Sequence, residues 1–301
     1  MKTIQRLRLL LLGATLCTLS SGPAWAASMT GQWDFTSGLS ATVGTALDYG
    51  DGAGGVTASG TLFGTTSAFG IPTIVPTDAA GIPTGPQVDA AVMSFPRMAT
   101  SAEGYKMWSG AAANGTFSAG DVNQWSLVMD IYYPLASADQ YRALIQTSAA
   151  NSNDADFFVG SSGVGPSPNG IGISGQYDGV IHPDTWYRIA LVVNLDAEAG
   201  NPTYSKYING NLVGSQSLFN TRFALWSAES GNPAWILSDE DGETQAGFLN
   251  HVSVYDGALG AGEIAALGGI ANGAVVPEPT PLALLLGAGG LFGLIRRRRQ
   301  S

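Results

Sequence analysis

Cysteine is almost missing from this 301-residue chain: the single one is Cys17. It falls in an N-terminal segment that reads as a removable leader. A mature chain without thiols has no disulfide, no Cys-ligated zinc and no Cys nucleophile. Leu16 precedes it where lipoprotein processing needs a small residue, so Cys17 is not read as a lipid anchor. Charge is also scarce, at 12% of residues. Between residues 27 and 280 only six cations, Arg97, Lys106, Arg142, Arg188, Lys206 and Arg222, stand against all 23 acids, a formal charge of −17. A body this acidic repels phosphate backbones, which argues against a nucleic-acid partner. Histidine is limited to His182 and His251, and there is no Gly-x-Ser-x-Gly, so nothing local supports a serine triad. His182, in a Gly-Val-Ile-His-Pro-Asp loop, reads as a surface turn, and His251 as a member of the polar face of a late strand.

What the chain does have is glycine, 41 residues, a composition that fits a turn-rich β protein better than a helical bundle. Its other cations sit at the two ends. Lys2, Arg6 and Arg8 precede a short apolar run from Leu9 to about Leu19, and Ala24-Trp25-Ala26 forms an A-x-A cleavage site. Residues 1–26 therefore read as a signal peptide, with Ala24 and Ala26 read by signal peptidase. At the other end the uncharged run 281–295 stands between a Pro-rich motif and Arg296, Arg297, Arg298 and Arg299. As a helix it would span roughly 22 Å, short of the ~30 Å hydrocarbon core. The arginines argue that it nevertheless inserts: they resist translocation and would stay cytoplasmic, leaving the body outside. The expectation is one short C-terminal transmembrane helix.

Val276-Pro277-Glu278-Pro279, the apolar span and the terminal arginines, in that order, resemble a PEP-CTERM sorting tail (motif 276–280, span 281–295, arginines 296–299). The resemblance implies a Gram-negative bacterium that makes extracellular polysaccharide, and recognition by the membrane enzyme exosortase near Pro277, Glu278 and Pro279. It implies a transient membrane anchor, then release toward the cell surface or matrix. The competing reading is a plain C-terminal anchor. The two prolines also keep the segment extended and accessible to a processing enzyme.

The body, 27–269, shows β punctuation, followed by a flexible linker over 270–275. Gln124 to Tyr133 alternates, with Trp125, Leu127, Met129 and Ile131 on one side and Ser126, Asp130 and Tyr132 on the other. Thr185 to Asn194 is apolar on both faces toward its end, as a central strand is. Tyr204 to Ile208, Asn209-Gly210 and Leu212 to Gly214 read as a hairpin, because Asn-Gly supplies the positive φ of a tight two-residue turn. Phe248 to Tyr255 reads as a further strand and Gly262 to Leu267 as one short helix closed by Gly268-Gly269. Residues 50–120, rich in Gly, Ala, Ser and Thr, give few periodic signals, and long loops with irregular strands are expected there.

This order resembles the LamG-like (concanavalin A-like lectin/glucanase) jelly roll over about residues 29–268. The matching segments are Gly31 to Phe35, Gln124 to Tyr133, Trp186 to Val192, Tyr207-Ile208-Asn209-Gly210, and the closing block from Gly247 through Tyr255 and Ala258-Leu259 to Leu267. The resemblance implies an all-β fold, two antiparallel sheets packed face to face as a jelly-roll sandwich. The chain departs at Asn250, where the family usually has Asp, which puts any carboxylate role there in doubt.

Glycosidases of this fold class carry two Glu and an Asp at alternate positions of an inner strand, where period 2 brings them to one face at acid/nucleophile distance. No strand of this sequence has that pattern, and no catalytic residue is assigned. The densest acid group, Asp239-Glu240-Asp241-Gly242-Glu243, has the composition of a turn. Asp239, Asp241 and Glu243 offer hard oxygen ligands for a structural Ca2+, with a solvated acidic turn as the competing reading. No cofactor is required. Asn151 to Asp156 is a second candidate. Gly50 to Gly55 contains a formal G-x-G-x-x-G without the strand and helix a dinucleotide site needs, so it reads as a loop. Of the tryptophans, Trp125 and Trp186 read as core. Trp226 and Trp235 flank a loop at Glu229 to Asn232 and, with Tyr132, are the candidates for a sugar-stacking surface, against core packing for each. The chain is thus expected to be an exported, non-enzymatic surface or matrix protein that binds glycan (exopolysaccharide) or serves a structural or adhesive role. The alternative is a carbohydrate-active enzyme of the same fold.

Overall fold

The computed structural model describes residues 27–50, 58, 60–73, 85–98, 103–148, 156–161, 169–197 and 201–270. The signal peptide with Ala24 and Ala26, and the sorting tail with Pro277, Glu278, Pro279, the 281–295 span and the arginines, lie outside the described residues. Among those described, no helix is long and apolar enough to cross a membrane. The strands in chain order are β1 (Met29–Trp33), β2 (Asp48–Gly50), β3 (Leu62–Thr65), β4 (Ala91–Phe95), β5 (Gly104–Met107), β6 (Asp121–Val122), β7 (Gln124–Tyr133), β8 (Arg142–Gln146) and β9 (Asp156–Val159). They continue with β10 (Ile171–Ile173), β11 (Gln176–Asp178), β12 (Thr185–Asn194), β13 (Thr203–Ile208), β14 (Asn211–Ser217), β15 (Leu225–Trp226), β16 (Ala234–Ile236) and β17 (Gly247–Tyr255), and the one α-helix among the described residues is α1 (Ala261–Leu267).

The architecture is the expected all-β sandwich of two large antiparallel sheets. One runs β14-β13-β12-β7-β17-β4-β3, with β1 also on β17; the other runs β11-β10-β9-β8-β16-β5-β2. Alternation decides which side chains meet between them. Trp125, Leu127, Met129 and Ile131 of β7 and Ile189, Leu191 and Val193 of β12 face Leu144, Phe157, Val159, Ile171 and Ile236 from the second sheet. Phe157 sits at the centre, edge-on to Trp125 at 5.6 Å and to Tyr204 at 4.9 Å. The Asn209-Gly210 turn has φ of 49° and 79°, the positive pair that a two-residue hairpin of this twist demands.

The first sheet's other face is covered as well. Ile264 and Leu267 of α1 pack on Val128, Ala190, Val192 and Tyr207. Glu263 Oε2 accepts a 2.7 Å hydrogen bond from the Gly260 N–H, which fixes the start of the helix. Ile270, placed by the sequence at the opening of the linker, is buried with Val92, Tyr132 and Trp186 and belongs to the body. A charged row lies beneath this cover. Arg188 opposes Asp130 across β12 and β7, and His251 opposes Asp130 across β17 and β7. Arg188 Nε and Nη2 donate to the two Asp130 oxygens at 2.7 Å each, and Nη1 donates to the Leu267 carbonyl at 2.7 Å. His251 is therefore not on a solvated polar face. It is fully buried, and neither ring nitrogen has a hydrogen-bond partner. Its neighbour Asn250 occupies a bulge in β17 and donates from Nδ2 to the Ala91 carbonyl at 2.8 Å. A carboxylate at that position has no proton to donate, which gives this chain's departure from Asp a structural reason.

Candidate functional site

A small cleft opens where β6 and β15 pair at the margin of the sandwich. Trp226 opposes Asp121 in that two-residue ladder, and both line the cleft together with Ser118, Thr147, Ser148 and the Thr221–Arg222 turn. Its volume is about 100 Å3. That is below the ~300–1,000 Å3 of a pocket enclosing a drug-sized ligand, so its size admits at most one edge or one substituent of a larger molecule. Trp226 is half-buried and lines the cleft. Two more aromatics stand out from the adjoining chain: Phe219, 77% exposed, just before Thr221, and Phe117, 36% exposed, just before Ser118.

The loop that carries Phe117 and Ser118 is held rigidly. Asn123, fully buried, donates from Nδ2 to the carbonyls of Asn114, Ser118 and Asp121 and accepts the Ser118 N–H on Oδ1 at 2.7 Å. Asp196 Oδ1 accepts the backbone N–H groups of Thr116 and Phe117 at 2.9 and 3.1 Å. Gly115 makes this geometry possible: its φ is 79°, and a Cβ there would overlap the Asp196 carboxylate. A loop with its backbone donors already satisfied loses little freedom when a ligand docks.

The three aromatic candidates from the sequence do not share a surface. Trp226 lines the cleft. Tyr132 is 5% exposed, packed between Trp186 and Phe248 at ring distances of 5.4 and 5.9 Å, with its hydroxyl donating to Asp184 Oδ1 at 3.0 Å. Burial, with the Asp184 carboxylate second, pushes its phenol up to about 12. Trp235 is 4% exposed in β16 between β5 and β8, with Lys106 Nζ 5.7 Å over its ring. Neither offers a free face to a sugar. Alternation alone puts both on outward faces; the 66–73 segment and Ile270 cover Tyr132, and Lys106 lies over Trp235. His182 is exposed in the turn before β12, as read from the sequence. The remainder of the Gly-rich run after Gly50 lies outside the described residues.

The acidic turn is organised differently from its expected form. Asp239 is buried, and its Oδ2 accepts the backbone N–H groups of Asp241 and Glu243 at 2.9 and 2.8 Å. The converging oxygens are those of Asp156, Asp239 and Glu240, which lie within 4.8 Å of one another; Asp241 and Glu243 are not in the set. Asp156 arrives through its register with Gln146 across β9 and β8, and Gln146 Nε2 donates to Glu240 Oε2 at 2.9 Å. The second sequence candidate thus joins the first through Asp156, while 151–155 lie outside the described residues. Burial, followed by the charges of Asp239, Asp241 and Glu240, raises the Glu243 carboxyl above the ordinary range. We propose Asp156, Asp239 and Glu240 as the residues that would hold a structural Ca2+, supplying three of the roughly six to eight oxygen ligands that ion takes. Millimolar CaCl2 should then raise the melting temperature of the parent and leave that of Asp156→Asn unchanged, read by thermal denaturation. No shift in the parent removes the ion from the account.

Sequence reasoning missed Arg222, Asp121, Thr147, Ser148 and the exposed Phe219, because the cleft draws on chain segments up to about a hundred residues apart. The one local signal was Phe219-Asn220-Thr221-Arg222, an aromatic beside a turn: Asn220 Oδ1 accepts the Arg222 N–H at 3.1 Å.

No curated protein matches the chain. Among solved structures it is similar to the CBM40 module of a Ruminococcus gnavus IT-sialidase bound to α2,3-sialyllactose, at 17% identity and a TM-score of 0.34, over 49% of this chain and 83% of that one. It is similar to the botulinum neurotoxin serotype D binding domain at 11% identity and a TM-score of 0.39, over 79% of this chain and 51% of that one. A third is the Trypanosoma rangeli sialidase in complex with sialic acid, at 13% identity and a TM-score of 0.35, over 68% of this chain and 32% of that one. None is near enough to lend a ligand or a residue role. Residues 119–265, from just before β6 into α1, match the Laminin_G_3 family, so this stretch carries a domain of the concanavalin A-like lectin/glucanases superfamily.

Proposed function

We propose that the chain is an exported, non-enzymatic cell-surface or matrix protein whose sandwich binds a glycan at the Trp226 cleft. One observation carries this: a half-buried tryptophan, an arginine and several hydroxyls meet in a shallow cleft beside a pre-fixed loop, with Phe117 and Phe219 exposed next to it. Sugars present an apolar ring face and a hydroxylated edge, and that combination suits both. Among the residues lining the cleft Asp121 is the single carboxylic acid, and its Oδ2 accepts a 2.6 Å hydrogen bond from Ser118. Glycoside hydrolysis uses two carboxyl groups roughly 5–10 Å apart, so the cleft favours binding over turnover. The signal peptide and the sorting tail supply the route, with signal peptidase acting after Ala26 and exosortase near Pro277, Glu278 and Pro279.

The test is a glycan array and a pull-down with the producing cell's own exopolysaccharide. Trp226→Ala should weaken binding by about 10–30-fold, the range of a central aromatic contact. Uniform absence of binding would leave only a structural or adhesive role. Turnover of a β-glucan that disappears in Asp121→Asn would replace binding by catalysis. Mass spectrometry of the mature protein from the same cells checks the route, since retention of Arg296 to Arg299 would count against sorting.

A further inference from the structure

We propose that the cleft reads an anionic sugar, one bearing a ring carboxylate, and that Arg222 is the residue that recognises it. This rests on the glycan-binding reading and narrows it to a ligand class. The argument begins with how the body spends its six cations. Lys106 is paired with Asp48, Arg188 with Asp130 and Lys206 with Asp178, while Arg142 donates to Asn169 Oδ1 at 2.6 Å. Arg97 is exposed and does not line the cleft. Arg222 alone lines the cleft, and no described residue forms an ion pair with it.

Of the three body cations without an ion pair among the described residues, Arg97, Arg142 and Arg222, only Arg222 lines the cleft. Among the described residues no carboxylate forms an ion pair with this one. Asp121, the acid nearest in the lining, is engaged by the Ser118 hydroxyl. What touches Arg222 is an aromatic face: its Cζ lies 5.1 Å from the centroid of the buried Phe223 ring, a cation–π contact, and its Nε has no hydrogen-bond partner. Its backbone is fixed as well, with the carbonyl accepting from Thr147 Oγ1 at 2.7 Å and the N–H donating to Asn220. A guanidinium seated by this contact has its terminal Nη groups left for an acceptor of matching shape, and a carboxylate is that acceptor. Trp226 beside it takes the ring face, which a free inorganic anion does not have.

The experiment is isothermal titration of the full chain, in mild detergent, with galacturonate and glucuronate oligosaccharides and with the carboxyl-reduced counterpart of each. At least one acidic probe should bind about tenfold or more tightly than its reduced form, in line with a charge-assisted bidentate contact. Arg222→Gln should erase that difference while keeping the parent's melting temperature. Arg222→Lys should restore only part of it, because an ammonium lacks the fork. Trp226→Ala should weaken acidic and reduced probes alike. Equal affinity for the two forms, or an unchanged preference in Arg222→Gln, would overturn the carboxylate assignment while leaving glycan binding in place. Displacement by inorganic sulfate at the same concentration as by the acidic sugar would overturn it in favour of a general anion site. If no glycan of any kind binds, the broader reading fails and takes this one with it.

Discussion

Asp130→Ala should cost the fold about 3–5 kcal/mol, the penalty of leaving a buried charge without its partner. The pair lies in the two most central strands of the first sheet, with 3% exposure at Arg188 and none at Asp130. Burial alone would pull the Arg188 pKa down, but the Asp130 carboxylate outweighs it and holds it above the ordinary arginine value. The guanidinium therefore cannot escape by losing its proton. After truncation it would lose both carboxylate contacts while the Leu267 carbonyl stays, under the apolar cover of α1. For a domain of this size each kcal/mol moves the melting point by roughly 2–4 °C, so thermal denaturation should show a fall of ~6–20 °C. By contrast the Lys106–Asp48 pair, 3.9 Å apart with side chains 28% and 64% exposed, is of a kind worth under about 1 kcal/mol.

The double replacement Asp130→Leu with Arg188→Met separates charge from packing. A buried ion pair exchanged for apolar side chains of similar volume is often neutral or stabilising, so the double variant should recover most of what Asp130→Ala loses. A single variant melting within about 2 °C of the parent would mean that the pair carries no stability. A double variant as weak as the single one would point to shape rather than charge at this position.

The same row marks where the sequence could be read and where it could not. β7 and β12 were legible to the residue, because each is ten residues of alternation or apolar run closed by a turn signal. The Asn209-Gly210 hairpin was legible because its chemistry is local. Residues 50–120 were not: β3, β4 and β5 are four or five residues each, too short for a period to emerge, and β4 and β5 pair with β17 and β16 more than a hundred residues away. Most of the second sheet was illegible for the same reason. His251 was misread, and Tyr132 kept as a sugar-stacking candidate beside core packing, through one assumption, that the face opposite the core meets water. Alternation tells two faces apart and says nothing of what lies over either. Here α1, the 66–73 segment and Ile270 cover the second face, and none of these is visible from the strands themselves. The cleft shows the limit most plainly. Trp226 was found as a residue, but Arg222 and Asp121 become its neighbours only through the β6–β15 register.

His251 gives the second large effect, and its sign follows from the burial that the sequence concealed. Burial, with Arg188 adding to it and Asp130 opposing, pushes the imidazole down to about 4 from its ordinary 6.5. Above pH 6.5 the ring is neutral whether the chain is folded or unfolded, and the full stability is present. As pH falls from 6.5 toward 4 the unfolded chain takes up a proton that the folded chain refuses, so stability is lost across that window. The loss from this one group reaches about 3 kcal/mol below pH 4. His251→Leu removes the titration. Because neither ring nitrogen has a partner, the variant should be at least as stable as the parent at pH 7, since an unsatisfied buried polar group gives way to an apolar one. Denaturant unfolding from pH 7.5 to 4 should show the two chains diverging only below about pH 6.5, by roughly 3 kcal/mol at the acid end. Carboxylates shared by both chains cancel in the difference. Parallel profiles would mean that the folded ring takes up its proton as readily as the unfolded one, and that the cover over this face admits water.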